Sequence, residues 1–179
     1  TYTQRFGLEG AYITKATAQL MRDFGCTQAP QHAFLLNLGL ESLPLRMERH
    51  SENALAVAEF LEKHPKVSWV NYAGLPSSPY HALAEKYLPK GCCGVVSFGV
   101  KGGRDAAGVF MKSLKLGMIA THVADARTCV LHPASSTHRQ MNDAELAAAG
   151  VGPDLIRLSV GIENKEDILA DLEQALASI

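Results

Sequence analysis

Between Leu8 and Phe24 the apolar positions Tyr12, Ala16, Leu20 and Phe24 recur every fourth residue, and Gly25 follows. That spacing draws one apolar stripe along a helix, with Lys15, Gln19 and Arg22 on its polar side and the glycine as its stop. Pro30 opens a second apolar stretch, AFLLNLGL. Ala54, Val57, Ala58 and Leu61 then mark a long helix, kinked or restarted near Pro44 and ended at His64-Pro65. Beyond that point the period changes. VSWVNY alternates as a strand does and GLPSSP is turn chemistry, which predicts a domain boundary near residue 65.

The pattern continues with a short helix from Tyr80 to Tyr87, a strand VVSFGV, turn glycines Gly102 and Gly103, a helix from Asp105 to Leu116 and a strand in RTCVL. Asn142 with Glu145 has the spacing of a capping box at the start of DAELAAAG, which Gly150 closes. LIRLSV is another strand. Asn164 caps a last helix whose apolar stripe is Ile168, Leu172, Ala175, Leu176 and Ile179. Strands alternating with helices over 65–179 predict an α/β sandwich, one sheet layered with helices.

A net charge of -1, with no basic stripe, argues against nucleic acid and anionic lipid as partners. No window approaches the roughly 18 uninterrupted apolar residues of a membrane span, and no leader-like segment opens the chain. A cytoplasmic protein is expected. Cys26, Cys92, Cys93 and Cys129 share no repeated spacing and read as reduced, partly buried thiols. Because the chain opens at Thr1 in a polar segment, it is expected to be part of a longer polypeptide.

The densest chemistry lies in LHPASSTHRQM, residues 131–141. Ser135-Ser136 lacks the flanking glycines of a nucleophile elbow, and His132 and His138 have no recognised metal-ligand spacing. No metal site is expected. A turn in which hydroxyls satisfy backbone groups and Pro133 sets direction accounts for the composition. LIRLSV is more pointed: strand alternation puts Ile156, Leu158 and Val160 on one side, Leu155, Arg157 and Ser159 on the other. An arginine in mid-strand lies on a wet face or meets an anion, and its planar fork suits a carboxylate. Lys15, Arg22, Arg46 and Arg49 read as charges on helix surfaces.

Taken together, GLESLPLRMERHSENALAVAEFL, HPKVSWVNYAGLPSSPYHALAEKYLPKG, SFGVKGG, LHPASSTHRQM and IRLSVGIENKEDILADLEQAL resemble, in order, the C-terminal part of O-acetylhomoserine sulfhydrylases. These belong to the Cys/Met-metabolism family of pyridoxal-phosphate enzymes. The resemblance implies a fold-type I transferase in which residues 1–64 are the end of the large cofactor domain and its connecting helix, and 65–179 the small α/β domain. It implies conversion of O-acetylhomoserine and sulfide to homocysteine and acetate in methionine biosynthesis, by a homotetramer holding pyridoxal 5'-phosphate. The cofactor lysine is expected upstream, so this chain is expected to carry no catalytic residue and to be inactive alone.

Arg157 falls where the family binds the substrate α-carboxylate, and Thr137 at a position lining that pocket. His122 falls where relatives usually have asparagine or serine, with Ala124 in place of a usual glycine. A cystathionine γ-synthase or γ-lyase type of relative, or a non-catalytic α/β module, remains an alternative.

Overall fold

In the computed structural model, which describes residues 1–179, the four-residue spacing at the start of the chain forms helix α1 (Tyr2–Lys15), a π-helical turn (Ala16–Met21) and α2 (Arg22–Phe24). Gly25 ends this run with φ 68°, the left-handed conformation that glycine adopts without cost at a helix C-terminus. Gly7 breaks α1 near its start (φ 69°, ψ 173°), and neither this kink nor the π turn is visible in the spacing. Helix α3 (Pro30–Glu41) opens on its proline, where a missing N–H is no loss. These helices form one compact unit, Thr1–Leu43.

The second unit is Pro44–Ile179. Its first helix, α4 (Leu43–Lys63), carries Pro44 in its first turn, so the proline restarts the helix instead of kinking it. The compact units divide at the start of α4. The reason is packing: Ala54, Val57, Ala58 and Leu61 are fully buried in the same core as the sheet.

That sheet has five strands, β1 (Val67–Asn71), β2 (Val95–Val100), β3 (Met118–Ile119), β4 (Cys129–Leu131) and β5 (Leu155–Ser159), in the order β1-β2-β5-β4-β3. Central β5 runs antiparallel to both neighbours, with Arg157 opposite Ser97 on β2 and Leu131 on β4. Strand β3 pairs parallel with β4 at the edge. At two residues it is too short to leave a periodic signal.

Alternation along β5 divides the sheet into two faces. Ile156 and Leu158 join Val96, Phe98 and Val130 in the core. Three helices complete that core: α4, α6 (Gly103–Ser113) and α8 (Lys165–Ala177), the last through Ile168, Leu172, Ala175 and Leu176. Phe98 and Phe110 meet edge to face at 5.7 Å between centroids, the arrangement that ring quadrupoles favour. Between β1 and β2 lies α5 (His81–Tyr87), and ahead of β5 lies α7 (Asp143–Ala148), where Asn142 and Glu145 complete the expected capping box. Asn164 caps α8 as expected by accepting from the Glu166 N–H.

Polar side chains join these layers in ways that patterning does not reveal. The Asp171 carboxylate on α8 accepts the backbone N–H groups of Lys115, Leu116 and Gly117 at 2.8, 3.0 and 2.8 Å, organising the turn from α6 into β3. Lys66 donates to the last carbonyls of α8, Leu176 and Ala177, where a cation also meets the negative end of the helix dipole. On α4, His50 Nδ1 donates to the Val160 carbonyl at 2.7 Å, and Asn53 donates to the carbonyls of Gly161 and Glu163.

Phe110→Ala should destabilise the chain by about 3–5 kcal/mol through loss of buried contacts and the cavity left behind. Asp171→Ala should cost about 3 kcal/mol by stranding backbone donors. Leu83→Ala, at a half-exposed position, should change stability by no more than about 0.5 kcal/mol. Urea unfolding followed by fluorescence of Trp69 measures all three; equal effects would contradict this description of the core.

Candidate functional site

The face of the sheet opposite the core carries Leu155, Arg157 and Ser159 of β5. Arg157 is partly exposed, and its guanidinium makes one hydrogen bond, from Nη2 to the Thr121 carbonyl at 2.9 Å. Its Nε is buried and has no partner. The fork is held at one corner only, which leaves terminal guanidinium N–H donors for a further acceptor.

The Thr121 carbonyl belongs to a loop pinned to the same strand. The Ala124 N–H donates to Ser159 Oγ at 2.9 Å, and Ala124 itself takes φ 60°, a left-handed conformation that glycine adopts more readily than alanine. At the far end of the loop the Glu163 carboxylate accepts the Thr128 N–H and hydroxyl at 2.6 and 2.9 Å. The Thr128 hydroxyl oxygen in turn accepts the Gly161 N–H.

His122 follows Thr121 directly. Its ring is largely exposed, with Nδ1 3.4 Å from Asp125 Oδ2. Asp125 is held to about 2, first by the backbone N–H of Arg127 and then by its guanidinium, against an opposing desolvation effect. Cys129, at the start of β4, is buried, and desolvation raises its thiol above the ordinary range. His122, Asp125 and Cys129 offer ligand-type atoms that all lie within 4.8 Å of one another. The spacing His-x2-Asp-x3-Cys was the available signal, and it matches no familiar motif.

Thr137 stands apart from this group. Its hydroxyl pairs with the neighbouring His138 Nδ1 at 2.9 Å, and no hydrogen bond links it to Arg157 or His122. The structure thus brings together Arg157 and the segment leading into His122, but does not bond Thr137 to them.

The rest of LHPASSTHRQM is a built turn. Pro133–Ser135 form a 3-10 helix, and Ser136 Oγ donates to the His132 carbonyl at 2.6 Å. His132 is buried, with Nε2 2.8 Å from the Pro153 carbonyl and Nδ1 2.8 Å from Ser135 Oγ. A carbonyl can only accept, so Nε2 carries the proton and Nδ1 accepts from Ser135. The Ser-His pair resembles a nucleophile and base, but no carboxylate orients the imidazole and the ring is committed to backbone. Arg104 ties this turn to α6 and α7 by donating to the Ala134 carbonyl at 3.0 Å and to Asp143 at 2.6 Å.

The architecture is an α/β sheet with a partly exposed arginine on the face opposite its core. The family model for Cys/Met metabolism PLP-dependent enzymes matches residues 8–177, and the chain belongs to that family. It is 49% identical to the O-acetyl-L-homoserine sulfhydrylase of Leptospira meyeri, covering 97% of this chain and 39% of that protein. It is 50% identical to the homocysteine synthase of Schizosaccharomyces pombe, covering 98% of this chain and 41% of that protein. Among solved structures, a Campylobacter jejuni protein described as an O-acetylhomoserine (thiol)-lyase, with N'-pyridoxyl-lysine-5'-monophosphate, superposes with TM-score 0.84 at 41% identity. That match covers 94% of this chain and 40% of that one. The chain thus spans about two fifths of the length of the relatives it matches.

Because the Asp125 shift arises from Arg127, carbon-detected NMR should place the Asp125 midpoint at about 2. In Arg127→Ala it should rise toward, without reaching, the ordinary value of about 4, since the backbone N–H remains. With a depressed carboxyl, the stabilisation is present above the ordinary value and is lost as pH falls through about 2. An unmoved midpoint in the variant would remove the guanidinium from this account.

Proposed function

We propose that this chain supplies the substrate-carboxylate side of the active site in a PLP-dependent enzyme that converts O-acetylhomoserine and sulfide to homocysteine and acetate. The observation that carries the reading is Arg157: a partly exposed guanidinium on the face of the central strand opposite the core, fixed at one corner by the Thr121 carbonyl. Such a fork fits the planar carboxylate of an amino-acid substrate through two parallel hydrogen bonds. Family membership and relatives named as sulfhydrylases and homocysteine synthases support the reaction class.

Pyridoxal 5'-phosphate, when bound, supplies the electron sink that lets bonds at Cα and Cγ of the amino acid break. This chain's contribution is orientation. Arg157 holds the α-carboxylate and so fixes which bond at Cα faces the reacting centre, a positioning effect worth several orders of magnitude when the geometry is near that of attack. His122, at the end of the Thr121 segment that anchors Arg157, shapes the carboxylate side of the pocket, and Thr137 lines it further out. The cofactor lysine lies in the part of the enzyme upstream of this chain, and the 179-residue chain alone is inactive.

Residues 1–64 are the end of the large cofactor domain and its connecting helix. Helix α3 supports this: it buries no residue and exposes Phe34, Leu35, Leu36, Leu38 and Leu40, an apolar surface that a larger domain would cover. The complete enzyme is a cytoplasmic homotetramer; no helix of the chain is long and apolar enough to cross a membrane.

Arg157→Ala in the complete enzyme should raise KM strongly and lower kcat/KM by about 100-fold, the scale of losing hydrogen bonds to a charged group. An unchanged kcat/KM would overturn the assignment. Acetate release driven by sulfide and not by cysteine is the expected donor preference; the opposite preference would move the enzyme to the cystathionine-forming branch.

A further inference from the structure

The loop between β3 and β4 holds three groups of different chemistry in one place: the imidazole of His122, the carboxylate of Asp125 and the thiol of Cys129. We propose that these side chains form a binding site for zinc or a zinc-like divalent ion, with three protein ligands and one open position.

The geometry favours this metal class. Tetrahedral bonds of about 2.0–2.1 Å to nitrogen and oxygen put two such ligands about 3.4 Å apart. His122 Nδ1 and Asp125 Oδ2 already stand 3.4 Å apart. A sulfur ligand at about 2.3 Å would lie about 3.6 Å from each of them, and Cys129 Sγ stands within 4.8 Å of one ligand atom of His122 and one of Asp125, so it needs about an ångström of adjustment. Nitrogen, oxygen and sulfur together are a borderline-soft donor set, which suits zinc and not magnesium or calcium.

The loop is also prepared for the ion. Arg127 engages Asp125 chiefly through Oδ1, which accepts from its backbone N–H at 3.0 Å and from Nε at 3.3 Å; Nη2 reaches Oδ2 only at 3.5 Å. The second oxygen is thereby turned toward His122, an orienting hydrogen bond of the kind that supports metal-bound carboxylates. Ser159 and Glu163 pin the loop on either side through Ala124 and Thr128. Cys129 Sγ lies 3.5 Å from the Arg127 carbonyl as a weak donor. Coordination would form the metal-sulfur bond and release that thiol proton to the buffer. None of this requires Arg157 to bind a substrate.

The test uses the 179-residue chain with Cys26, Cys92 and Cys93 replaced by serine, which removes every other thiol. Titration with cobalt(II) should give one equivalent of binding, with a sulfur-to-cobalt charge-transfer band in the near ultraviolet that zinc then abolishes. Cys129→Ser should remove the band. His122→Ala and Asp125→Asn should each weaken binding by at least about tenfold, since even residues that merely orient ligands cost that much. Should Cys129→Ser fail to fold, His122→Ala still decides, because that ring is largely exposed. No charge-transfer band at millimolar cobalt, or affinity unchanged in His122→Ala, would overturn the site.

Discussion

The structure depends on one strand having two unlike faces. β5 is hydrogen-bonded on both sides, so its register is set twice, by β2 and by β4. A slip of one residue would put Arg157 into the core and Ile156 and Leu158 into water. Burial of Ile156, Leu158 and Val160 excludes that slip, and in doing so aims the arginine at the opposite face. The position of the candidate carboxylate site is therefore a by-product of core packing.

Around that strand, polar side chains that meet backbone add to the apolar core in joining the elements. Asp171, Lys66, His50, Asn53 and Glu163 each satisfy main-chain donors or carbonyls far away in sequence. Such bonds are modest individually, but stranding one partner in the interior is expensive, so they make the arrangement of loops specific as well as stable. The loop from Thr121 to Thr128 gains most from this. It is irregular, yet held at Ala124 and Thr128, and it delivers both the carbonyl that anchors Arg157 and the side chains of His122 and Asp125.

The first unit follows a different logic. Helix α3 has no buried residue, and its leucines are about half exposed or more. Its apolar side chains are left uncovered within this chain, which spans about two fifths of the length of each relative.

Periodicity alone determined the helices that carry apolar stripes, the strands long enough to alternate, and the caps at Asn142 and Asn164, because these depend on neighbours within a few residues. It also put Arg157 on the face opposite Ile156 and Leu158, and the resemblance of ordered segments pointed to the family. Tertiary structure decided what depends on distant partners: that α4 packs with the sheet and so divides the compact units before it, that two-residue β3 pairs at the edge, that His132 is a buried brace, and that Thr137 is not bonded to Arg157. It alone brought His122, Asp125 and Cys129 together. The physical reason is common to all of these: local propensity is written in adjacent residues, whereas a site in a loop is fixed by hydrogen bonds from strands and helices elsewhere in the chain.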